Sequence, residues 1–308
     1  MTDPPESAPP VRASLPTLVD FDLFAGASRV DDPADRLVLV QTSGLEAGRV
    51  CPLALDEVTL GRASNCTFAF DDGSLGSVHA RLVRDSDGFA VEDAGAPGGT
   101  FVNDQPVTRA SLFDGDRVRI GTVTLRLSRV SAREEDAMVE VYEASTRDGL
   151  TGAYNRRHLL ARLEADVAYA RRHKDDLSLI MVDIDDLRAL NDLRGTQAGD
   201  AALAHVTRVL MASLSGDDLV ARFGGEELVV VLRGVGLAAA TELAERLRAA
   251  VEAAPLDGGG ESVPVHVSAG VASLACCTDA PGVAALLTLA EGRMAAAKRA
   301  GKNRVVAA

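Results

Sequence analysis

Leu179-Ile180-Met181-Val182-Asp183-Ile184-Asp185-Asp186 is an apolar run that ends abruptly in three carboxylates. Such a run reads as a buried strand, and burying it delivers Asp183 to the edge of a sheet. A negative cluster there is costly unless cations neutralise it, and a divalent metal is the simplest answer. Taken alone, a strand ending in Asp is also a turn or a helix cap. The second informative stretch is Ala221-Arg222-Phe223-Gly224-Gly225-Glu226-Glu227-Leu228, with strand-like residues on both sides. Gly-Gly between two strands predicts a tight hairpin in which both residues can take positive φ, and it lets a bulky phosphate approach the backbone. By itself it is equally a hairpin with solvated glutamates.

Working outward, helical and strand patterns alternate. Helices are expected at about 155–173, 198–214, 236–253 and 283–300, and strands at 178–184, 219–222, 227–233 and 264–273, a mixed sheet covered by helices. Upstream, short alternating runs dominate, among them Leu37-Val38-Leu39-Val40, Ala80-Arg81-Leu82-Val83 and Val123-Thr124-Leu125-Arg126-Leu127, punctuated by Gly, Asp and Asn. They predict a β-sandwich. Between the halves the chain is charged and helix-favouring, with Val130, Ala137, Val141 and Ala144 spaced for a linker helix able to form a short coiled coil. The expected division is a disordered or docking tail at 1–35, a sandwich at 36–128, a linker helix at 129–147 and an α/β domain at 148–308.

A chain of 308 residues can bury two cores, and 47% hydrophobic with 25% charged residues is a globular composition. The net charge of −13 disfavours nucleic acid and anionic membranes as partners, so a polyanionic substrate needs a metal. Cys51, Cys66, Cys276 and Cys277 form no Cys-x-x-Cys pair and have no matching His cluster, so neither a zinc site nor a disulfide framework is indicated and a reducing compartment is expected. The start carries no secretory pattern and no run of about 18 uncharged apolar residues occurs, so a cytoplasmic location is expected.

Five ordered segments together resemble the GGDEF family of diguanylate cyclases, from about residue 148 to the C-terminus. They are Asp148-Gly149-Leu150-Thr151-Gly152-Ala153-Tyr154-Asn155-Arg156-Arg157, Asp183 through Asp192, Gly199-Asp200, the Gly-Gly-Glu-Glu hairpin, and Ala297-Lys298-Arg299-Ala300-Gly301-Lys302-Asn303. The resemblance implies a polymerase-palm or nucleotide-cyclase-like central sheet flanked by helices. It further implies conversion of two GTP into cyclic di-GMP by a homodimer. On that likeness Asp183, the backbone carbonyl of Ile184 and Glu226 hold two magnesium ions, or manganese in their place, and Glu226 and Glu227 are the catalytic pair. Asn191 and Asp200 read the guanine edge, Gly224 and Gly225 admit the phosphates, and Lys298 and Lys302 clamp them, with Arg188 in place of the usual Lys. Without the other motifs the two lysines are ordinary helix C-terminal cations, and Asn191 and Asp200 a helix terminus and an N-cap.

Departures from the family pattern are Leu228 and Leu187 for Phe, and Thr196 for His. The inhibitory Arg-x-x-Asp set reads Ser215-Gly216-Asp217-Asp218, so feedback inhibition through it is not expected.

The sandwich segments Leu60-Gly61-Arg62-Ala63-Ser64-Asn65, Val78-His79-Ala80 and Gly99-Thr100-Phe101-Val102-Asn103 resemble a forkhead-associated (FHA) domain. This implies phosphothreonine-peptide binding, with Arg62, Ser77 and Asn103 as the candidate contacts. Gly76 and Gly98 stand where the family has a Ser and an Asn, which leaves a pocket short of two donors. The alternative for this half is a scaffold that docks a partner, or its own tail, without phosphate. Thr2, Ser7, Ser14 and Thr17 are the tail's candidate phosphosites. For the whole chain, the alternative is a catalytically idle adaptor that binds GTP or a partner protein. A closer rival makes mixed cyclic GMP-AMP, against which Asp200 argues.

Overall fold

The computed structural model describes residues 35–308 apart from 87, 216–217, 258–260 and 278–281. The four tail phosphosites and Gly216-Asp217 therefore lie outside the described residues. The N-terminal half contains β1 (Arg36–Gln41), β2 (Val50–Pro52), β3 (Glu57–Gly61), β4 (Phe68–Ala69), β5 (Ala80–Asp85) and β6 (Gly88–Asp93). It continues with β7 (Thr100–Val102), β8 (Gln105–Val107), β9 (Arg109–Leu112), β10 (Arg117–Ile120) and β11 (Val123–Val130). They form two facing sheets, β2-β1-β11-β10-β7-β8 and β4-β3-β5-β6-β9. Alternate residues such as Leu39, Leu82, Ile120 and Leu125 fill the space between them.

Strand β1 is apolar on both faces for a visible reason. Leu39 enters the sandwich core, whereas Val38 and Val40 pack with Val130 and Met138 under helix α1 (Ala132–Thr146). That helix starts at a capping box, with Ser131 accepting from the Glu134 amide and Glu134 reaching back to the Ser131 amide. Val130 does not belong to its apolar seam. It is the last residue of β11, paired with Arg36, because the ladder with β1 holds it in the sheet.

The C-terminal half comprises α2 (Arg156–His173), β12 (Leu177–Ile184), α3 (Leu187–Arg194), α4 (Thr196–Ala212), β13 (Leu219–Arg222) and β14 (Glu227–Arg233). It ends with α5 (Leu237–Ala253), β15 (Leu256–Asp257), β16 (Ser262–Val263), β17 (Val267–Ser273), α6 (Val283–Arg299) and β18 (Val305–Val306). The sheet runs β13-β14-β12-β17-β18, so β12 is central and every residue in it is buried. Leu179 and Met181 meet α2 and α6 on one face, and Ile180 and Val182 meet the α4 and α5 layer on the other. That two-sided burial explains the unbroken apolar run.

Two boundaries differ from expectation. The strand expected from 264 begins at Val267. Helix α3 precedes the helix expected at 198–214, and α4 itself begins at Thr196. Helix α3 has only eight residues and an N-cap, Asp186, that makes no side-chain capping bond, so it carries little local signal. Among the described residues no helix is long and apolar enough to cross a membrane.

Candidate active site

The register of the central strands brings the carboxylates together. Asp183 on β12 lies directly opposite Glu227 on β14, and Glu226 immediately precedes Glu227. Like charges placed opposite each other on adjacent strands destabilise a sheet. The last turn of α6 offsets this by sending in Lys298, whose Nζ lies 2.5 Å from Asp183 Oδ1 and 3.7 Å from Glu226 Oε1. The contact with Asp183 is a close ion pair without hydrogen-bond alignment, since that oxygen is buried with no hydrogen-bond partner. The Asp183 carboxyl is raised to about 6, chiefly by burial and further by Glu226 and Glu227, against the opposing pull of Lys298. Glu227 is raised as well, by burial and by repulsion from Glu291 and Glu226, with Lys298 and Arg156 opposing.

The turn between β13 and β14 is wider than a two-residue hairpin, running from Phe223 to Glu226. Neither Gly224 nor Gly225 takes positive φ, contrary to expectation. Their use is space. A Cβ on Gly224 would stand 2.7 Å from Glu227 Oε2, and a Cβ on Gly225 would face nothing within 4 Å. Gly224 thus lets a carboxylate fold back over the turn, and Gly225 leaves an open approach.

Arg222 braces this turn. Its Nη2 and Nε donate to the Gly225 carbonyl at 2.8 and 3.1 Å, and its Nη1 donates to both carboxylate oxygens of Asp148 at 3.2 and 3.1 Å. Burial pushes the Asp148 carboxyl up, but its bonds from Thr151 and Arg222 outweigh that and hold it below the usual range. Neither role is legible in the sequence, where the opposite charges of the two residues in separate motifs are the available signal.

Helices α3 and α4 form the next wall. Asn191 Oδ1 is buried with no hydrogen-bond partner and packs against Gly199, where a Cβ would approach it to 2.0 Å. Asp200 follows Gly199 and is exposed. An orphaned buried acceptor beside an exposed carboxylate suits a ligand edge that donates hydrogen bonds. Gly199 was missed as a positioning residue; its place before Asp200 was the only signal.

The three carboxylates at the end of β12 do not converge. Asp185 accepts from Ser268 Oγ at 2.8 Å and from the Asn303 amide at 2.9 Å, and Asp186 pairs with Lys302. Chain direction turns at Asp186, with φ at 57°, which carries Asp186 toward Lys302, while Asp185 is taken up by Ser268 and Asn303. Lys302 is thereby held away from the carboxylate pair that Lys298 touches. Arg188 is exposed on the first turn of α3.

Among the described residues no group of three or more His, Cys, Asp or Glu side chains is arranged to hold a metal. Asp183, Glu226 and the strand-terminal Ile184 carbonyl are a sparse oxygen set. Magnesium is commonly held by one or two carboxylates together with waters and substrate phosphates, so this set fits a metal arriving with a triphosphate. Lys298 is the counter-ion shared by Asp183 and Glu226.

At the far end of the molecule, the Arg62 amide bonds the Gly76 carbonyl at 2.9 Å and the Ala63 amide bonds the Ser77 carbonyl at 3.0 Å, so Arg62 and Ser77 are neighbours. His79, fully buried, ties Gly76 to Gly99 through its two ring nitrogens. Asn103 does not join them. It sits at the opposite end of β7 from Gly99, in the β7–β8 turn, with its amide bonded to Asp116 and its carbonyl to the Arg117 amide. A residue at φ of 48° in a hairpin is there for the turn.

Comparison with known proteins matches residues 145–304 to the family described as diguanylate cyclase, GGDEF domain, and residues 58–121 to the FHA domain. A diguanylate cyclase of Pseudomonas aeruginosa, DgcP, is 37% identical over 193 residues, 60% of this chain and 28% of that protein. The response regulator PleD of Caulobacter vibrioides is 36% identical over 166 residues, 53% of this chain and 36% of that one. The chain thus spans well under half the length of these curated relatives. Among solved structures, the coiled coil and GGDEF domain of DgcB from Caulobacter crescentus, in complex with c-di-GMP, matches at TM-score 0.52 and 26% identity. That match covers 57% of this chain and 92% of that one. Diguanylate cyclase SiaD of Pseudomonas aeruginosa, in complex with its activator SiaC, matches at TM-score 0.51 and 32% identity, covering 57% and 66%.

Proposed function

The chain belongs to the GGDEF diguanylate cyclase family, and on that premise we propose that it converts two GTP into cyclic di-GMP and two pyrophosphates as a homodimer governed by its FHA domain. The observation that carries this reading is the convergence of Asp183, Glu226 and Glu227 beside an open Gly-Gly turn, with Lys298 spanning two of them. Each protomer holds one GTP. Asn191 and Asp200 accept from the guanine N1–H and exocyclic amine, which adenine cannot offer together. Gly225 gives the phosphates room, and Lys298 turns from the carboxylates to the triphosphate.

Glu227, whose raised pKa makes it a better base near neutrality, takes the proton of a ribose 3′-hydroxyl. The freed oxygen bonds to the α-phosphorus of the facing GTP, the bond from that phosphorus to its bridging oxygen breaks, and pyrophosphate leaves. A reciprocal transfer closes the ring. Two magnesium ions on Asp183, Glu226 and the Ile184 carbonyl would supply neutralisation of the triphosphate charge. The two GTP molecules must face each other, so two chains are needed, and a reducing cytoplasm supplies the substrate.

The test is incubation of the purified protein with GTP and magnesium, reading cyclic dinucleotide by chromatography. Product should form and should vanish in Glu226→Gln. A dimer that binds GTP and makes no product would overturn the reading in favour of the idle adaptor. With Asp200→Ser, ATP should be admitted as a substrate; unchanged GTP preference would remove Asp200 from the base-reading role.

A further inference from the structure

The loop after β4 carries Asp71, and its carboxylate leaves the sandwich to pair with two arginines of the catalytic half, Arg162 on α2 and Arg233 at the end of β14. Arg162 is almost fully buried, with only 8% of its side chain exposed, and also pairs with Asp166 at 3.1 Å. Arg233 Nε lies 3.9 Å from the same Asp166. The network is therefore two guanidiniums and two carboxylates, neutral as a set, with one carboxylate contributed by the other domain. The loop itself is stiffened by Asp72, which accepts from the Ser74 amide and hydroxyl at 2.8 and 2.6 Å. Beside it Gly73 lies flat on Tyr169 of α2; a Cβ there would stand 2.9 Å from the ring.

Next to this contact lies a cleft of about 900 Å³ between the domains. Arg62 and Ser77, the sandwich's candidate phosphate contacts, line one side. The catalytic half lines the other with Asp175, Asp176 and Asp218, for which no ion pair is found among the described residues, and with Asp166 and Arg233 of the network above, so four carboxylates stand there against one guanidinium already paired to Asp71. An anion at Arg62 would face that acidic wall while the domains are joined. Separation leaves Arg162 with Asp166, so the open form strands no unpaired buried charge, which makes this contact reversible where a buried pair of only two groups would not be.

We propose that Asp71 is an interdomain latch that holds the sandwich against the end of the catalytic sheet remote from the Gly-Gly turn, and that the latched form and a phosphopeptide bound at Arg62 oppose each other. By reciprocity, whatever favours the open form tightens anion binding by the same factor. The second clause rests on the FHA domain reading phosphothreonine; the first does not.

Amide hydrogen exchange on the full chain tests the latch. Asp71→Asn removes the charge, and Gly73→Val pushes a side chain into Tyr169 without touching the ion pairs. Each should speed exchange in 69–75 and 160–170 by about tenfold while β12 and β14 keep their protection. The exchanged pair Asp71→Arg with Arg233→Asp should recover it. Unchanged exchange in both single variants would overturn the latch. A phosphothreonine peptide and its unphosphorylated twin, titrated into wild type and Asp71→Asn, test the opposition. The phosphorylated form should bind the variant about fivefold tighter or more. Equal binding to both proteins would overturn the opposition. Binding to neither would remove the phosphothreonine reading, with the latch still decided by exchange.

Discussion

At the residue scale, the carboxylates show chemistry set against stability. Asp183 sits buried, opposite Glu227, with its carboxyl pushed up to about 6. An acid whose folded pKa exceeds its unfolded value binds more protons when folded, so stability falls as pH rises from the unfolded carboxylate value of about 3.9 toward 6 and is level above. Asp183→Asn, measured without divalent cation, should therefore melt above wild type near neutral pH, and the gain should disappear at about pH 4. The same variant should make no cyclic dinucleotide. A variant that melts lower at neutral pH would mean Lys298 outweighs burial and repulsion. Gly199 gives a second case. Alanine there improves helix propensity by up to about 1 kcal/mol yet displaces the Asn191 amide, so Gly199→Ala should keep its melting temperature and raise KM for GTP about tenfold. Unchanged KM would remove Asn191 from the proposed base-reading role.

At the scale of elements, the Gly-Gly turn is held from outside itself. Arg222, at the last position of β13, bridges the Gly225 carbonyl to Asp148, which lies just beyond the end of α1. Arg222→Ala should leave the sheet intact and lower kcat/KM by about 10²-fold, because a turn displaced by about an ångström misplaces the reacting groups. Arg222→Lys should rescue poorly, since an ammonium cannot reproduce the forked contact. Steady-state kinetics with melting curves would separate this from unfolding. The strands and long helices were legible because burial on both faces of β12 leaves a continuous apolar run and the sandwich strands alternate. Short α3, the turn at Asp186, the separate partners of Asp185 and Asp186, and the φ values at Gly224 and Gly225 were not legible. Those are decided by tertiary packing: the Lys302 and Asn303 segment draws two carboxylates aside, and Glu227 needs the space over Gly224. The place of Asn103 is also a matter of tertiary packing, since its side chain is spent on Asp116 and the Arg117 amide at the end of β7 away from Gly99.

At the scale of the molecule, two cores are joined by one helix whose faces differ. Met138 packs toward β1 and β11, whereas Ala137, Val141 and Ala144 are exposed, Val141 to 49%. The interdomain contact through Asp71 had no sequence signal, because an Asp in a loop reads the same whether it meets solvent or a buried arginine. The exposed stripe did have one, and it bears on assembly. The proposed reaction needs two facing catalytic domains, and a second copy's helix laid along Ala137, Val141 and Ala144, spaced four and three residues apart, would bring them together. Val141→Glu places a charge in that seam and alters nothing buried in the single chain. Its melting temperature should match wild type. Sedimentation should shift toward monomer, and activity per mole should drop about tenfold at low protein concentration, an association loss of roughly 1.4 kcal/mol. Raising the concentration should restore turnover, since the catalytic residues are intact. A Val141→Glu protein that stays dimeric and fully active when dilute would move the dimer contact off this helix.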